Sequence, residues 1–211
     1  MSPYSIIYAD PAWRMKEPAE EYGTPYGTMS DEEIISLPVE PIANKNCALL
    51  MWVISSKIDV AVRACKAWGF EYKTIAFTWI KTSRKTGMPN CRLASYTLSA
   101  TEVCILGMRG RVPKQSYKVK QVIMSPRERH SKKPDEIRNR IVELFGDLPR
   151  IELFAREQIS GWDVWGNEVK SSIRLLTPLA LDGGDSAASE QFPTPEVLST
   201  LQGESTSAHR K

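Results

Sequence analysis

Histidine is nearly missing. There are two in 211 residues, and one of them, His209, stands among the last three. The four cysteines, Cys47, Cys65, Cys91 and Cys104, include no C-x-x-C pair. With neither ligand type grouped, no metal site is expected. Buried, reduced thiols are the expected state of the cysteines. No apolar run approaches the roughly 20 residues needed to cross a bilayer, so no membrane partner is expected. No basic start followed by an apolar stretch opens the chain, and the cytoplasm is the expected compartment. There is no G-x-G-x-x-G and no glycine-rich turn after the first apolar run, which removes the common dinucleotide fingerprint. No internal repeat is visible. The net charge is only +3, which permits an acidic partner without demanding one.

What is present is a globular composition, 42% hydrophobic and 25% charged, on a length that suits one domain and a tail. Residues 1–170 read as one folded domain. Residues 171–211 are rich in Ser, Thr, Gly and Pro and read as a flexible tail with too little apolar surface to offset its ordering entropy. A short helix over 196–201 fits there. Within the folded part, strands are expected at 4–9, 48–54, 72–80, 102–106 and 150–154, from short runs rich in β-branched and aromatic residues. A helix after Ser56 is expected, with Asp59 completing a capping box. Ile58, Val62, Cys65 and Trp68 give it an apolar face, and Gly69 ends it. A second is expected from Pro134, with Asp135 and Glu136 near its positive end. Its face is Ile137, Ile141, Leu144 and Phe145, and Gly146 stops it. Strands alternating with helices imply an α/β fold, a mostly parallel sheet with helices on both faces. Such sheets bind ligands just beyond the carboxyl ends of their strands.

Asp10-Pro11-Ala12-Trp13 follows the first strand. Each type has a use in methylating the 6-amino group of adenine, a poor nucleophile whose lone pair is delocalised into the ring. A carboxylate accepting one amine hydrogen returns electron density to nitrogen. The Pro11 carbonyl accepts the other hydrogen, and proline's fixed φ aims it. Trp13 offers a face for an unpaired base. Taken alone, the same four residues also suit an ordinary turn beside a core tryptophan.

Six segments in order decide between these. YADPAWRM, YGTPYGTMSDEEI, LLMWV, AWGFEYKTIAFTWIKT, HSKKPDEI and IELFAREQISGWDVWGNEV resemble the A-seventy (MT-A) family of S-adenosylmethionine-dependent adenine-N6 methyltransferases, over nearly all of residues 4–169. That family usually has Asp-Pro-Pro-Trp; here Ala12 takes the third place, which loosens the loop and leaves the carboxylate, the carbonyl and the ring. The resemblance implies a Rossmann-like methyltransferase fold with permuted motif order, the catalytic loop first and the cofactor strand late. It implies Asp10, Pro11 and Trp13 as catalytic residues. For S-adenosylmethionine it implies Lys133 and Ser131 at the methionine carboxylate and Asp10 at the methionine end. Glu152 and Arg156 fall at the ribose, and Asn167 and Glu168 at the base or ribose. Gln158 is a weaker candidate, and Ile159 departs from the family's pattern. Were the family match set aside, Glu152 would suit an ion pair with Arg150 or Arg156, and Lys133 a solvated surface.

Nucleic acid is the implied partner. Lys81, Arg84 and Lys85 follow a strand in a stretch without acid, a further acid-free run extends from Arg109 to Lys120, and Arg127, Arg129, Lys132 and Lys133 follow. Such loops track phosphates. Tyr22 and Tyr26 are placed to close over the base, and the resemblance supports Tyr26. Glu102 falls near the acceptor site by the same comparison. His130 suits a phosphate contact or a helix entry. The chain carries little beyond the catalytic domain, like the phage and bacterial DNA-modifying members, so DNA is expected before RNA. A non-catalytic scaffold role is the remaining alternative, and a homodimer is compatible with the family's habit of pairing.

Overall fold

A computed structural model describes residues 3–14, 28–94, 96–128 and 132–175. Its main sheet has seven strands: β1 (Tyr4–Ala9), β2 (Ala43–Val53), β3 (Glu71–Thr82), β6 (Thr101–Arg109), β7 (Val122–Pro126), β8 (Arg150–Leu153) and β9 (Asp163–Trp165). The order across the sheet is β7-β3-β6-β2-β1-β8-β9. β6 runs antiparallel to both its neighbours, and the other pairings are parallel. Between β3 and β6 the chain makes a separate small hairpin, β4 (Arg92–Leu93) and β5 (Leu98–Ser99). The helices are α1 (Asp31–Ile35), α2 (Ile58–Ala67) and α3 (Glu136–Phe145). This is the mostly parallel, Rossmann-like architecture expected. Among the described residues no helix is long and apolar enough to cross a membrane.

Period-2 alternation in the strands sorts the core into two layers. Ile7 and Ala9 of β1, Leu49, Met51 and Val53 of β2 and Ile151 and Leu153 of β8 face α1 and α2, where Ile34, Val60, Ala64 and Trp68 meet them. Ile6, Tyr8, Leu50, Trp52, Phe77, Trp79 and Cys104 face α3, meeting Ile137, Ile141 and Phe145. Strands buried on both faces need near-continuous apolar runs, which is how β1 and β2 read. The chain leaves β1 across one face toward β2 and enters β8 from α3 on the other. The carboxyl ends of β1 and β8 therefore flank a crevice of the kind that takes ligands in open α/β sheets.

Several local expectations need correction. Ser56 does not cap a helix: residues Ser55–Lys57 form a 3₁₀ turn, and α2 starts at Ile58 without a side-chain cap. The capping box belongs to α1, where Ser30 accepts from the Glu33 N–H and Glu33 accepts from the Ser30 N–H. α3 starts two residues beyond Pro134, with Asp135 as its N-cap. Gly69 and Gly146 do follow α2 and α3 in the left-handed region, φ +84° and +89°. Cys91 is exposed, whereas Cys47, Cys65 and Cys104 are buried, and all four are free. Contacts with the domain continue past residue 170, since the Ser172 N–H donates to Val164 and Ile173 is buried. The remainder of the tail expected over 171–211, from 176 on, and the short helix expected at 196–201 lie outside the described residues.

Candidate active site

The turn after β1 is fixed from three sides. The Asp10 N–H reaches back to Leu153 of β8, and the Trp13 N–H closes onto the Pro11 carbonyl at 2.9 Å. Ala12 accepts from the Met29 N–H at 2.9 Å, and Arg14 returns a bond to Met29. The Ala12 carbonyl thus does the pinning, which any residue type could supply. The Trp13 indole N–H donates to the Trp52 carbonyl at 3.0 Å. Trp13 is only 9% exposed and packs with the α1–α2 layer. This corrects the expectation of an open stacking face: the ring anchors the turn to the end of β2.

Asp10 continues the α3-facing side of β1. Its carboxylate accepts from the Lys133 ammonium at 2.7 Å, and that ammonium lies 3.2 Å from Glu102. The second Glu102 oxygen accepts from Lys81. The result is a line of alternating charge, Asp10–Lys133–Glu102–Lys81, whose side chains are all largely shielded from solvent. Trp52 and Trp79 floor it: the Lys133 ammonium lies 5.7 Å from the Trp52 ring centre and that of Lys81 5.3 Å from the Trp79 ring, within reach of cation–π attraction. The Trp52 N–H is satisfied by the Tyr8 hydroxyl at 2.7 Å.

Burial and the two lysines pull the carboxyls in different directions. Burial raises the Asp10 carboxyl above its usual range, and the single Lys133 ammonium only partly offsets this. Burial acts on Glu102 as well, but two ammonium groups outweigh it and hold that carboxyl below its usual range. Lys133, desolvated yet flanked by two carboxylates, is held charged.

Lys81 therefore does not belong with the exposed phosphate-tracking residues. Phe77, Trp79 and Lys81 share one face of β3, and the pairing of Trp79 with Glu102 puts the two side chains together. Arg84 and Lys85, one turn on, are exposed. The run from Arg109 also needs revision. Because β6 is antiparallel, its end pairs with Cys47 near the start of β2, at the opposite edge of the sheet. Arg109 there meets Glu40. The same reversal carries Glu102, which opens β6, to the active edge.

On the other flank, β8 and β9 end beside β1. Gly166 lets them close up: a Cβ there would lie 2.2 Å from the Ala155 carbonyl oxygen. Arg156, expected at the ribose, and Glu168, expected at the base or ribose, face each other at 3.6 Å, and Asn167 is exposed beside them. Gln158 donates to the Trp162 carbonyl. Glu152 pairs with neither Arg150 nor Arg156. Both its oxygens accept from Arg138 of α3, at 2.7 and 2.9 Å, in a buried fork. Ser131 and Tyr26, with Tyr22, Arg129 and His130, lie outside the described residues.

Arg138, Trp52 and Tyr8 were not anticipated. The signal for Arg138 lay in two periods read together. Ile151 and Leu153 face one side of β8, so Glu152 faces α3, and Arg138 flanks the Ile137–Ile141 stripe of that helix.

The model of the MT-A70 family matches residues 4–168. The chain belongs to that family. It is 32% identical over 188 residues to the Type II methyltransferase M.MunI of a Mycoplasma species, covering 79% of this chain and 78% of that one. It is 30% identical over 183 residues to the N(6)-adenosine-methyltransferase MT-A70-like protein of Drosophila melanogaster, and 27% identical over 183 residues to the human N(6)-adenosine-methyltransferase catalytic subunit METTL3. Those matches cover 83% of this chain but only 28% and 30% of the relatives. The MT-A70 match spans every strand of the main sheet and both ends of the buried charge line.

Proposed function

We propose that the chain transfers a methyl group from S-adenosylmethionine to the 6-amino nitrogen of adenine in DNA by direct in-line displacement. The observation that carries this is the shielded Asp10 carboxylate at the carboxyl end of β1, paired with Lys133. The Lys133 ammonium is complementary to the carboxylate of the donor's amino-acid end, and it holds the Asp10 carboxylate beside that end, where it can act on the acceptor. The donor's carboxylate meets Lys133, its adenosine end extends toward Arg156, Asn167 and Glu168, and its sulfonium supplies an already activated methyl.

The chain's own groups then act on the acceptor. Asp10 accepts one hydrogen of the adenine amine, the Pro11 carbonyl accepts the other, and the nitrogen lone pair is directed at the methyl carbon. As the nitrogen–carbon bond forms, the carbon–sulfur bond breaks, and the sulfonium becomes a neutral thioether. One amine proton leaves through Asp10. Positioning is the main contribution, since holding reactants in line removes an entropic barrier of several kcal/mol, about 7–11 in favourable cases. Trp13 keeps the turn in place, and Glu102 with Lys81 holds Lys133.

Incubating the purified chain with methyl-labelled donor and DNA, then digesting to nucleosides, tests the reading. Label in N6-methyladenine is expected. Label in RNA adenine and none in DNA would move the substrate to RNA, a reading favoured by the relatives named for adenosine. The near full-length match to a type II methyltransferase supports DNA. A scaffold would bind no donor in a calorimeter. The same instrument checks Lys133. Lys133→Ala is expected to weaken donor affinity about tenfold to a hundredfold, the range for losing one charged hydrogen bond. An unchanged Kd in a folded variant would remove Lys133 from the donor site.

A further inference from the structure

The segment between β3 and β6 gathers large exposed apolar side chains and cations. Leu93 is 90% exposed, Tyr96 fully so and Leu98 66%. Large apolar side chains standing clear of the body in this way mark an interaction surface. Arg84, Lys85 and Arg92 are exposed in the same stretch, and residues 83–101 contain no acid. Leu93 and Leu98 are cross-strand partners in the β4–β5 hairpin, which pairs with no strand of the main sheet. The segment is pinned at both ends to one residue of the site. The Lys81 carbonyl accepts from the Asn90 N–H at 2.8 Å, and the Lys81 N–H donates to Ala100 at 2.7 Å. Lys81 is also the outer member of the buried charge line.

We infer that this hairpin is a wedge for duplex DNA: Leu93 and Tyr96 enter the base stack beside the adenine to be methylated, while Arg84, Lys85 and Arg92 hold the flanking phosphates. The inference rests on the reading of the substrate as nucleic acid. An adenine inside a duplex has its 6-amino group in the stack, and reaching it requires unpairing and unstacking. Apolar side chains inserted between base steps replace part of the lost stacking. Tyr96 brings a ring to stack on an orphaned base. A second protein chain would also cover apolar side chains, but the excess of cations without a single acid fits a polyanion better.

The test compares the parent chain with Leu93→Ser/Tyr96→Ser on two substrates that share the mapped target sequence. In one the target adenine is paired with thymine; in the other it faces an abasic site and is already unpaired. On the paired duplex kcat/KM is expected to fall about thirtyfold or more, an opening penalty no longer offset. On the unpaired target it is expected to stay within about threefold. No fall on the paired duplex, or equal falls on both, overturns the wedge. Equal falls together with loss of a dimer in sedimentation would assign the surface to a second copy instead, and also overturn it. Failure of the parent chain to methylate either DNA would instead overturn the substrate reading, and the wedge with it.

Discussion

Asp10→Ala is expected to abolish methyl transfer, lowering kcat about a thousandfold or more, while donor binding stays within a few-fold. The magnitude is that of removing a group which acts on the reacting proton and on developing charge. Donor binding survives because the Lys133 ammonium keeps Glu102 at 3.2 Å as its partner and is released from Asp10. Steady-state rates with labelled donor, read beside calorimetric affinity, separate the two effects. Near-normal turnover would remove Asp10 from its role. The pH profile of the parent chain gives a second readout. Burial raises the Asp10 carboxyl above the ordinary value of 3.8. Only the ionised form accepts a hydrogen, so kcat/KM falls as pH drops through that raised value, earlier than for an exposed aspartate.

The second large effect is on stability. Arg138→Met removes both hydrogen bonds to Glu152 and leaves that carboxylate 6% exposed without its cation. Breaking a buried pair from one side costs about 3–5 kcal/mol, a large part of the total stability of an ordinary domain. Arg138→Met/Glu152→Met, which removes both charges, is expected to recover most of the loss, because well-packed apolar replacements of a buried pair are often neutral. Denaturant midpoints of the two variants against the parent measure this. A single variant within about 1 kcal/mol of the parent would show that the fork contributes little. Since α3 begins three residues after Lys133, loosening its grip on β8 is also expected to disturb the proposed donor site.

The sheet was legible because its strands are buried on both faces and so read as apolar runs; β1 was anticipated residue for residue. β7 and β9 were not, for physical reasons. β7 is an edge strand, VIMSP, with Val122 and Met124 turned outward, and β9 has three residues. The hardest fact to extract was direction. Nothing within Thr101–Arg109 says that it runs against its neighbours, yet that alone decides that Glu102 joins the site and Arg109 does not. The motifs assigned Asp10 and Lys133 to one site, and the structure brings them together, but the motifs could not say that they touch. Trp13 and Lys81 were read by type, as a stacking ring and a surface cation. Alternation along β3 already placed Lys81 with Phe77 and Trp79 on the inner side. Glu152 was assigned outward from motif order, whereas its partner came from a helix whose packing the motif does not encode.

The burial of the four-membered charge line separates two kinds of electrostatics in one small domain. Dissolved ions weaken attraction between groups that water surrounds and leave groups enclosed by protein nearly untouched. Raising ionic strength is therefore expected to weaken the proposed hold of Arg84, Lys85 and Arg92 on a polyanion, while Asp10, Lys133, Glu102 and Lys81 keep their arrangement. In concentrated electrolyte the protein is expected to keep the proposed donor site and to lose the proposed template.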